Sequence, residues 1–339
     1  MQPAGRCLSF VLCVIGLVLA GPVFAQPTTL KAYRFANTYY VAVGDVANYY
    51  GLGPELRGVV NRAEYKTSFA QLETEAERRD ILVNGVNHWV STPILSTRGK
   101  LWIAELDVLK TLDPVLQPGR LRKPGASVHT IVLDPGHGGS DRGTRGRSSF
   151  EKVMTLDVAK RVDRDLAGTG LRVVLTRTSD KTVALEDRVD FARDKAADLF
   201  VSIHFNSGGS AEGIETYCTP PAGVSSTANF SGSGGDRESG SGNRGEVANN
   251  RFDAQNVWLA HCAQKSLLRA TDALDRGVRR ARFWVLRYAS CPAILVEAGF
   301  LSNASEEQRI LRSDYRETLA KAIADGILTY KKTVEAQSP

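Results

Sequence analysis

The sequence lacks the patterns that settle a protein's class at a glance. It contains no HExxH, so a zinc site formed by two histidines on one helix turn is excluded. The mainly apolar run from Leu8 to Ala20 is shorter than the ~20 apolar residues a membrane-spanning helix needs. There is no Lys/Arg block and no interleaving of basic with aromatic residues, which excludes a nucleic-acid groove. The net charge of +6 suits any anionic partner and selects none. Cysteine is scarce: of five, Cys7 and Cys13 precede residue 26, leaving Cys218, Cys262 and Cys291. Their spacing makes no metal site, and an odd number cannot pair completely within the chain. Either one bridge with one buried thiol or three buried thiols satisfies the count.

What is present begins with Arg6, the apolar run, and small residues up to Val23-Phe24-Ala25, followed by Gln26. A basic end, an apolar middle and a cleavage site after Ala25 predict a signal peptide over 1–25, and hence export to the periplasm or the cell exterior. No Cys follows at lipoprotein spacing, so neither a lipid anchor nor stable membrane insertion is expected after cleavage.

Residues 27–116 read as a small α+β domain. Tyr39 to Val43 is a strand, Asp45 is placed to cap a short helix ending at Gly51, and Asp80 to Val90 alternates around Asn84-Gly85, the preferred two-residue hairpin turn. Leu101 to Ala104 is a further strand, followed by a short helix. This pattern resembles the small N-terminal domain of copper amine oxidases and of many exported bacterial proteins; it has no His cluster, so no copper is inferred. Residues 117–127, rich in Pro, Gly and basic residues, read as a linker. From 128 to 331 strand and helix patterns alternate, predicting an α/β domain with a central, mainly parallel sheet between helices. In it, Leu156, Ala159, Val162 and Leu166 mark one helix face. Residues 220–245 are Gly/Ser-rich and poor in apolar residues, predicting a mobile insertion.

Two of the five histidines stand where strands end. His137 follows Ile131 to Gly136 and precedes Gly138-Gly139; His204 ends Phe200 to Ile203. In α/β sheets ligands bind beyond the carboxyl ends of strands. Glu151 opens the first long helix, and Glu297 ends the apolar strand Ala293 to Val296. A catalytic zinc takes three His or carboxylate ligands and leaves one position for water, while a separate carboxylate moves protons. Each residue also has a plain structural reading. A helix-start Glu suits the dipole, and a strand-end His is ordinarily structural or simply exposed; His88 and His261 are read the same way, as structural or exposed. A Glu ending a buried strand is harder to dismiss, because an unpaired charge there is costly. Arg188 is read as anchoring its helix to a nearby carboxylate, with a substrate role as the alternative.

Leu133-Asp134-Pro135-Gly136-His137-Gly138-Gly139, Glu151, Ala197 to Asn206 and Val296 to Asn303 together resemble the N-acetylmuramoyl-L-alanine amidases of the zinc amidase 3 family. Leu185 to Arg188, Asp275-Arg276-Gly277-Val278 and Val285-Leu286-Arg287 add to the resemblance, which runs in order from about Val128 to Tyr330. It implies one zinc per chain held by His137, Glu151 and His204, with Glu297 as the catalytic carboxylate. It also implies peptidoglycan as substrate, cut between N-acetylmuramic acid and L-alanine. The N-terminal domain is then expected to bind the wall or an activating partner. Phe205 replaces a small residue usual beside the metal and is expected to narrow the site. The insertion lies where some relatives carry a blocking helix, and no amphipathic run appears there before about Val247. Two other activities use the same inventory: a zinc peptidase acting on the stem peptide, and a non-catalytic peptidoglycan-binding protein. The presence of all four residues favours an enzyme, and digestion products separate amidase from peptidase.

Overall fold

The computed structural model describes residues 5–9, 29–59, 61–121, 127–227 and 244–336. It divides into two compact units, 1–116 and 117–339. Most of the expected signal peptide, part of the linker and the centre of the insertion lie outside the described residues. Within the expected leader, Gly5–Ser9 is a strand antiparallel to Thr29–Phe35. No described helix is long and apolar enough to cross a membrane.

The first unit holds two antiparallel arrays. In one, Thr29–Phe35, Thr38–Ala42, Lys100–Ala104 and Leu95–Thr97 are successive neighbours. The other is a meander of Glu55–Val59, Arg62–Lys66, Gln71–Glu75, Asp80–Val83 and Val86–Trp89. The expected hairpin turns at Asn84 and Gly85, both at positive φ (51° and 81°), as a two-residue turn with this twist requires. Helix Val43–Tyr49 starts earlier than Asp45 predicts: Ala42 is the N-cap and Asp45 lies in the first turn. Burial of Val43 and Val46 draws the helix start onto the strand end. His88 is fully buried here.

The second unit is a mixed six-stranded sheet flanked by helices. Its strands are β1 (Thr130–Pro135), β2 (Arg172–Leu175), β3 (Leu199–Asn206), β4 (Ile214–Cys218), β5 (Asp275–Arg280) and β6 (Ala293–Phe300). The order is β2-β1-β3-β6-β4-β5, parallel throughout except where β4 runs antiparallel to β6. Helices α1 (Glu151–Leu166), α3 (Asp253–Ala270) and α6 (Ser313–Glu335) pack on one face, α2 (Leu185–Asp194) and α4 (Trp284–Arg287) on the other, and α5 (Ala304–Leu311) follows β6. β1, β3 and β6 are wholly or almost wholly buried, which is why they read as apolar runs rather than alternating strands. On α1 the buried stripe is Thr155, Val158, Ala159, Val162 and Leu166, and Leu156 is only half-buried.

α6 closes the unit at the start of β1. The Val128 amide donates to Glu335 Oε1 at 2.7 Å, and Lys331 Nζ donates to the Val128 carbonyl at 3.0 Å. Cys218, Cys262 and Cys291 are buried free thiols, and burial raises the pKa of each. His261 is buried and stacks on Trp258. Of the insertion, 228–243 lies outside the described residues, but its ends are pinned rather than loose. Gly223 N–H donates to the Arg244 carbonyl at 2.7 Å. Arg279 Nη2 donates to the Thr227 carbonyl and Arg282 Nη1 to the Val224 carbonyl, at 2.8 and 2.9 Å. Composition missed this because the donors are arginines some fifty residues downstream.

Candidate active site

β1 delivers the first site residue through a loop that would not hold by itself. His137 has φ 60°, a left-handed conformation unfavourable for a residue with a Cβ. Two buried arginines fix it through its own carbonyl and those of the two residues before it. Arg177 Nε donates to Pro135 O at 3.0 Å and its Nη2 to Gly136 O at 2.9 Å. Arg188 Nη1 donates to Pro135 O at 3.0 Å and its Nη2 to His137 O at 2.9 Å. Arg188 does anchor its helix to a carboxylate, Asp134, at 2.6 Å. Gly136 is required for closeness: a Cβ there would overlap the His204 ring.

The imidazole of His137 is oriented at both nitrogens. Nδ1 lies 2.8 Å from Asp141 Oδ2, and Nε2 lies 3.1 Å from Glu151 Oε2. Glu151 occupies the first turn of α1, where a carboxylate suits the helix dipole. Its Oε2 also accepts the Thr144 amide at 2.7 Å, and its Oε1 accepts the Phe205 amide at 3.0 Å and lies 2.9 Å from His204 Nδ1. All three side chains are buried, and one ligand atom from each falls within 4.8 Å of the others. Burial alone would depress the His137 imidazole; the Glu151 carboxylate, helped by Asp141, outweighs it and lifts the pKa to about 10. Burial would raise Glu151, but His137 and His204 hold its carboxyl well below the usual carboxylate range, so it stays ionised as a metal ligand must.

Glu297 enters from β6. It is register-paired with His204 on β3 and with Glu215 on β4, so the three project to one face of the sheet. Beside His137 and His204 opens a cavity of about 210 Å³, walled by Val183, Ala184, Leu185 and Val285. Phe205 does not narrow it. Side chains alternate along a strand, so Phe205 points to the face opposite His204 and is fully buried.

Three residues of this arrangement were not singled out from the sequence: Asp141, Arg177 and Glu215. Asp141 had a signal, an acid four residues past a candidate ligand, since metal-binding histidines commonly give their second nitrogen to a carboxylate. Glu215 is 1% exposed. Its Oε2 pairs with Arg279 at 2.7 Å and Arg276 at 2.9 Å, while its Oε1 accepts from Asn206 at 2.6 Å and Tyr217 at 2.7 Å.

Two imidazoles and a carboxylate converging at strand ends define an α/β protein with a His–Glu–His constellation able to hold a metal ion. Residues 131–329 match the N-acetylmuramoyl-L-alanine amidase family, Amidase_3, and the chain belongs to it. It is 30% identical over 311 residues to the N-acetylmuramoyl-L-alanine amidase LytC of Bacillus subtilis, covering 90% of this chain but 55% of that relative. To the N-acetylmuramoyl-L-alanine amidase AmiA of Salmonella typhimurium it is 32% identical over 284 residues, covering 78% of this chain and 95% of AmiA. Among solved structures it is similar to the catalytic domain of CwlV, an N-acetylmuramoyl-L-alanine amidase from Bacillus (Paenibacillus) polymyxa, at 34% identity and a TM-score of 0.49, covering 60% of this chain and 97% of that one.

Proposed function

We propose that this chain is an exported, zinc-dependent amidase that hydrolyses the amide joining N-acetylmuramic acid to L-alanine in peptidoglycan. The observation that carries this reading is the convergence of His137, Glu151 and His204 within 4.8 Å, buried together, one strand away from Glu297. Two imidazoles and one ionised carboxylate suit zinc in a catalytic setting, where a fourth position is left open. A zinc ion held by these three residues would supply Lewis acidity and lower the pKa of water there toward neutrality.

The protein's own residues do the rest. Asp141 fixes His137 so that Nε2 faces the site, and Arg188 holds the backbone beneath it. Glu297 takes the proton of the attacking water and returns it to the departing amide nitrogen, so the amine leaves neutral. The N-terminal unit supplies none of these four residues, and we assign it to wall or partner binding.

The test is digestion of purified peptidoglycan by the wild type and Glu297→Gln, with mass analysis of the fragments. A free L-alanine amine on released stem peptides names the amidase; cleavage within the stem names the peptidase. Glu297→Gln keeps its volume, its zinc and its melting temperature but loses about 10²–10⁴-fold in turnover. Near-normal turnover of a zinc-loaded Glu297→Gln protein removes Glu297 from the mechanism.

A further inference from the structure

The loop from Asp141 to Phe150 joins two of the proposed zinc ligands, His137 and Glu151, and carries three arginines that the site does not use. Its base is locked to Glu151. The Thr144 amide donates to Glu151 Oε2 at 2.7 Å, and the Glu151 amide donates back to the Thr144 carbonyl at 2.9 Å. Arg145 and Phe150 then bridge antiparallel, and the Gly146 amide donates to the Ser149 carbonyl at 2.9 Å. The result is a short hairpin with Arg147 and Ser148 at its tip. It is seated on the helix that follows β6: the Ser148 amide donates to Glu307 Oε1 at 2.8 Å, and a Cβ on Gly146 would overlap that carboxylate. At the near end a Cβ on Gly143 would overlap the His137 ring and Glu151 Oε2, so the loop runs against the metal constellation itself.

Arg142, Arg145 and Arg147 are all exposed. The Arg142 guanidinium lies over the Phe150 ring, 4.9 Å from its centroid, and such stacking pre-orients it. Among the described residues none of the three forms an ion pair. The carboxylates that touch the loop are committed elsewhere. Asp141 holds His137 Nδ1 and the Gly143 amide, Glu151 faces both imidazoles, and the buried Glu307 accepts the Ser148 amide. Lys152, the next cation along the chain, is paired with Asp180 at 2.7 Å. An incoming anion therefore meets guanidinium groups with no internal carboxylate to displace.

We infer that this hairpin binds the carboxylates of the stem peptide through Arg142, Arg145 and Arg147. This rests on the amidase reading and deepens it. The scissile amide consumes the carboxyl of the muramic acid, so the sugar side of the bond is uncharged, while the residues beyond L-alanine carry carboxylates. The spans agree. From Thr144, bonded to Glu151, to Arg147 the extended chain covers about 10 Å, and the second and third stem residues lie within about the same reach of the bond being cut. Exposed pairs of this kind are weak singly, so the three arginines act as a set.

The experiment uses the full zinc-loaded chain and two soluble muropeptides of equal length whose stem carboxyls are all free or all amidated. At low ionic strength the wild type is expected to have a KM about tenfold lower for the free acid, the combined worth of several exposed charge pairs, and the advantage shrinks at high salt. The triple variant Arg142→Gln/Arg145→Gln/Arg147→Gln is expected to lose that preference while kcat, zinc content and melting temperature hold. The triple Lys variant keeps the charge and is expected to restore most of it. Titration of both muropeptides into zinc-loaded Glu297→Gln protein reads the same preference as a Kd without turnover. A wild type without the preference, or a preference that survives the triple Gln change, overturns the inference. Equal losses on both substrates also overturn it and make the hairpin a brace for Glu151. If the triple Gln variant matches wild type on muropeptides yet binds less well to sacculi that carry phosphate polymers, the hairpin recognises those polymers and the stem assignment falls. A wild type that cleaves neither muropeptide but remains zinc-loaded overturns the amidase reading itself.

Discussion

The carboxylate of Asp134 and the guanidinium of Arg188 meet at 2.6 Å with side-chain exposures of 1% and 4%, and the same Arg188 holds the His137 carbonyl. Burial alone would raise Asp134, but Arg188 and Thr176 hold its carboxyl below its ordinary value of 3.8. Asp134→Asn leaves Arg188 buried without its counter-charge, and a loss of about 3–5 kcal/mol is expected from denaturant unfolding near neutral pH. Because the folded pKa is depressed, this contribution is present above the unfolded value and is lost as pH falls through the folded one. The gap between wild type and Asp134→Asn should therefore narrow as pH drops below 3.8. A gap that widens on acidification contradicts the assignment. The apolar pair Asp134→Leu with Arg188→Met is expected to recover much of the stability while weakening zinc binding, since His137 loses its brace.

Zinc content distinguishes ligands from neighbours. His204→Ala leaves two ligands and should abolish tight binding, while Phe205→Ala, on the opposite face, should keep one ion per chain. Elemental analysis after dialysis reads both, and full zinc in His204→Ala is incompatible with the proposed site.

Gly136→Ala tests close approach without removing any polar group. Its Cβ would overlap the His204 ring, so the ring must turn from Glu151. Zinc affinity should fall about 10–100-fold, as when an orienting partner of a ligand is lost, with only a modest change in melting temperature. Unchanged affinity would show that the ring has room to spare.

The insertion separates into a stalk and a centre. Joining Thr227 to Arg244 with a short Gly/Ser turn should leave turnover on a soluble muropeptide equal or higher. Deleting 221–245 instead removes the carbonyl acceptors of Arg279 and Arg282, at about 1–3 kcal/mol for each buried charged donor stranded. Thermal melts of the two deletions should therefore differ clearly; equal melts would mean that the stalk contributes no stability.

The sequence carried the buried strands well but not their ends: β3 and β6 run past His204 and Glu297 to Asn206 and Phe300. Buried strands announce themselves as apolar runs, and a polar residue interrupting such a run, as His204 and Glu297 do, stands out. It carried poorly whatever depends on side chains reaching distant backbone. Arg177 serves carbonyls about forty residues upstream, and Glu215 gathers partners from β3, β4 and β5; neither has a period or a local motif. Phe205 was misjudged because adjacency in sequence is opposition in a strand. The Asp45 cap failed for a different reason: burying Val43 outweighed the local preference for a capping side chain.

The clasp between Val128, Lys331 and Glu335 lies at the amino end of β1, whereas His137 lies just past its carboxyl end. Six strand residues separate them, about 20 Å at the rise of extended chain. The catalytic unit therefore has a tethered pole and a working pole. A circular permutation joining residues near 128 and 335 should therefore spare the site.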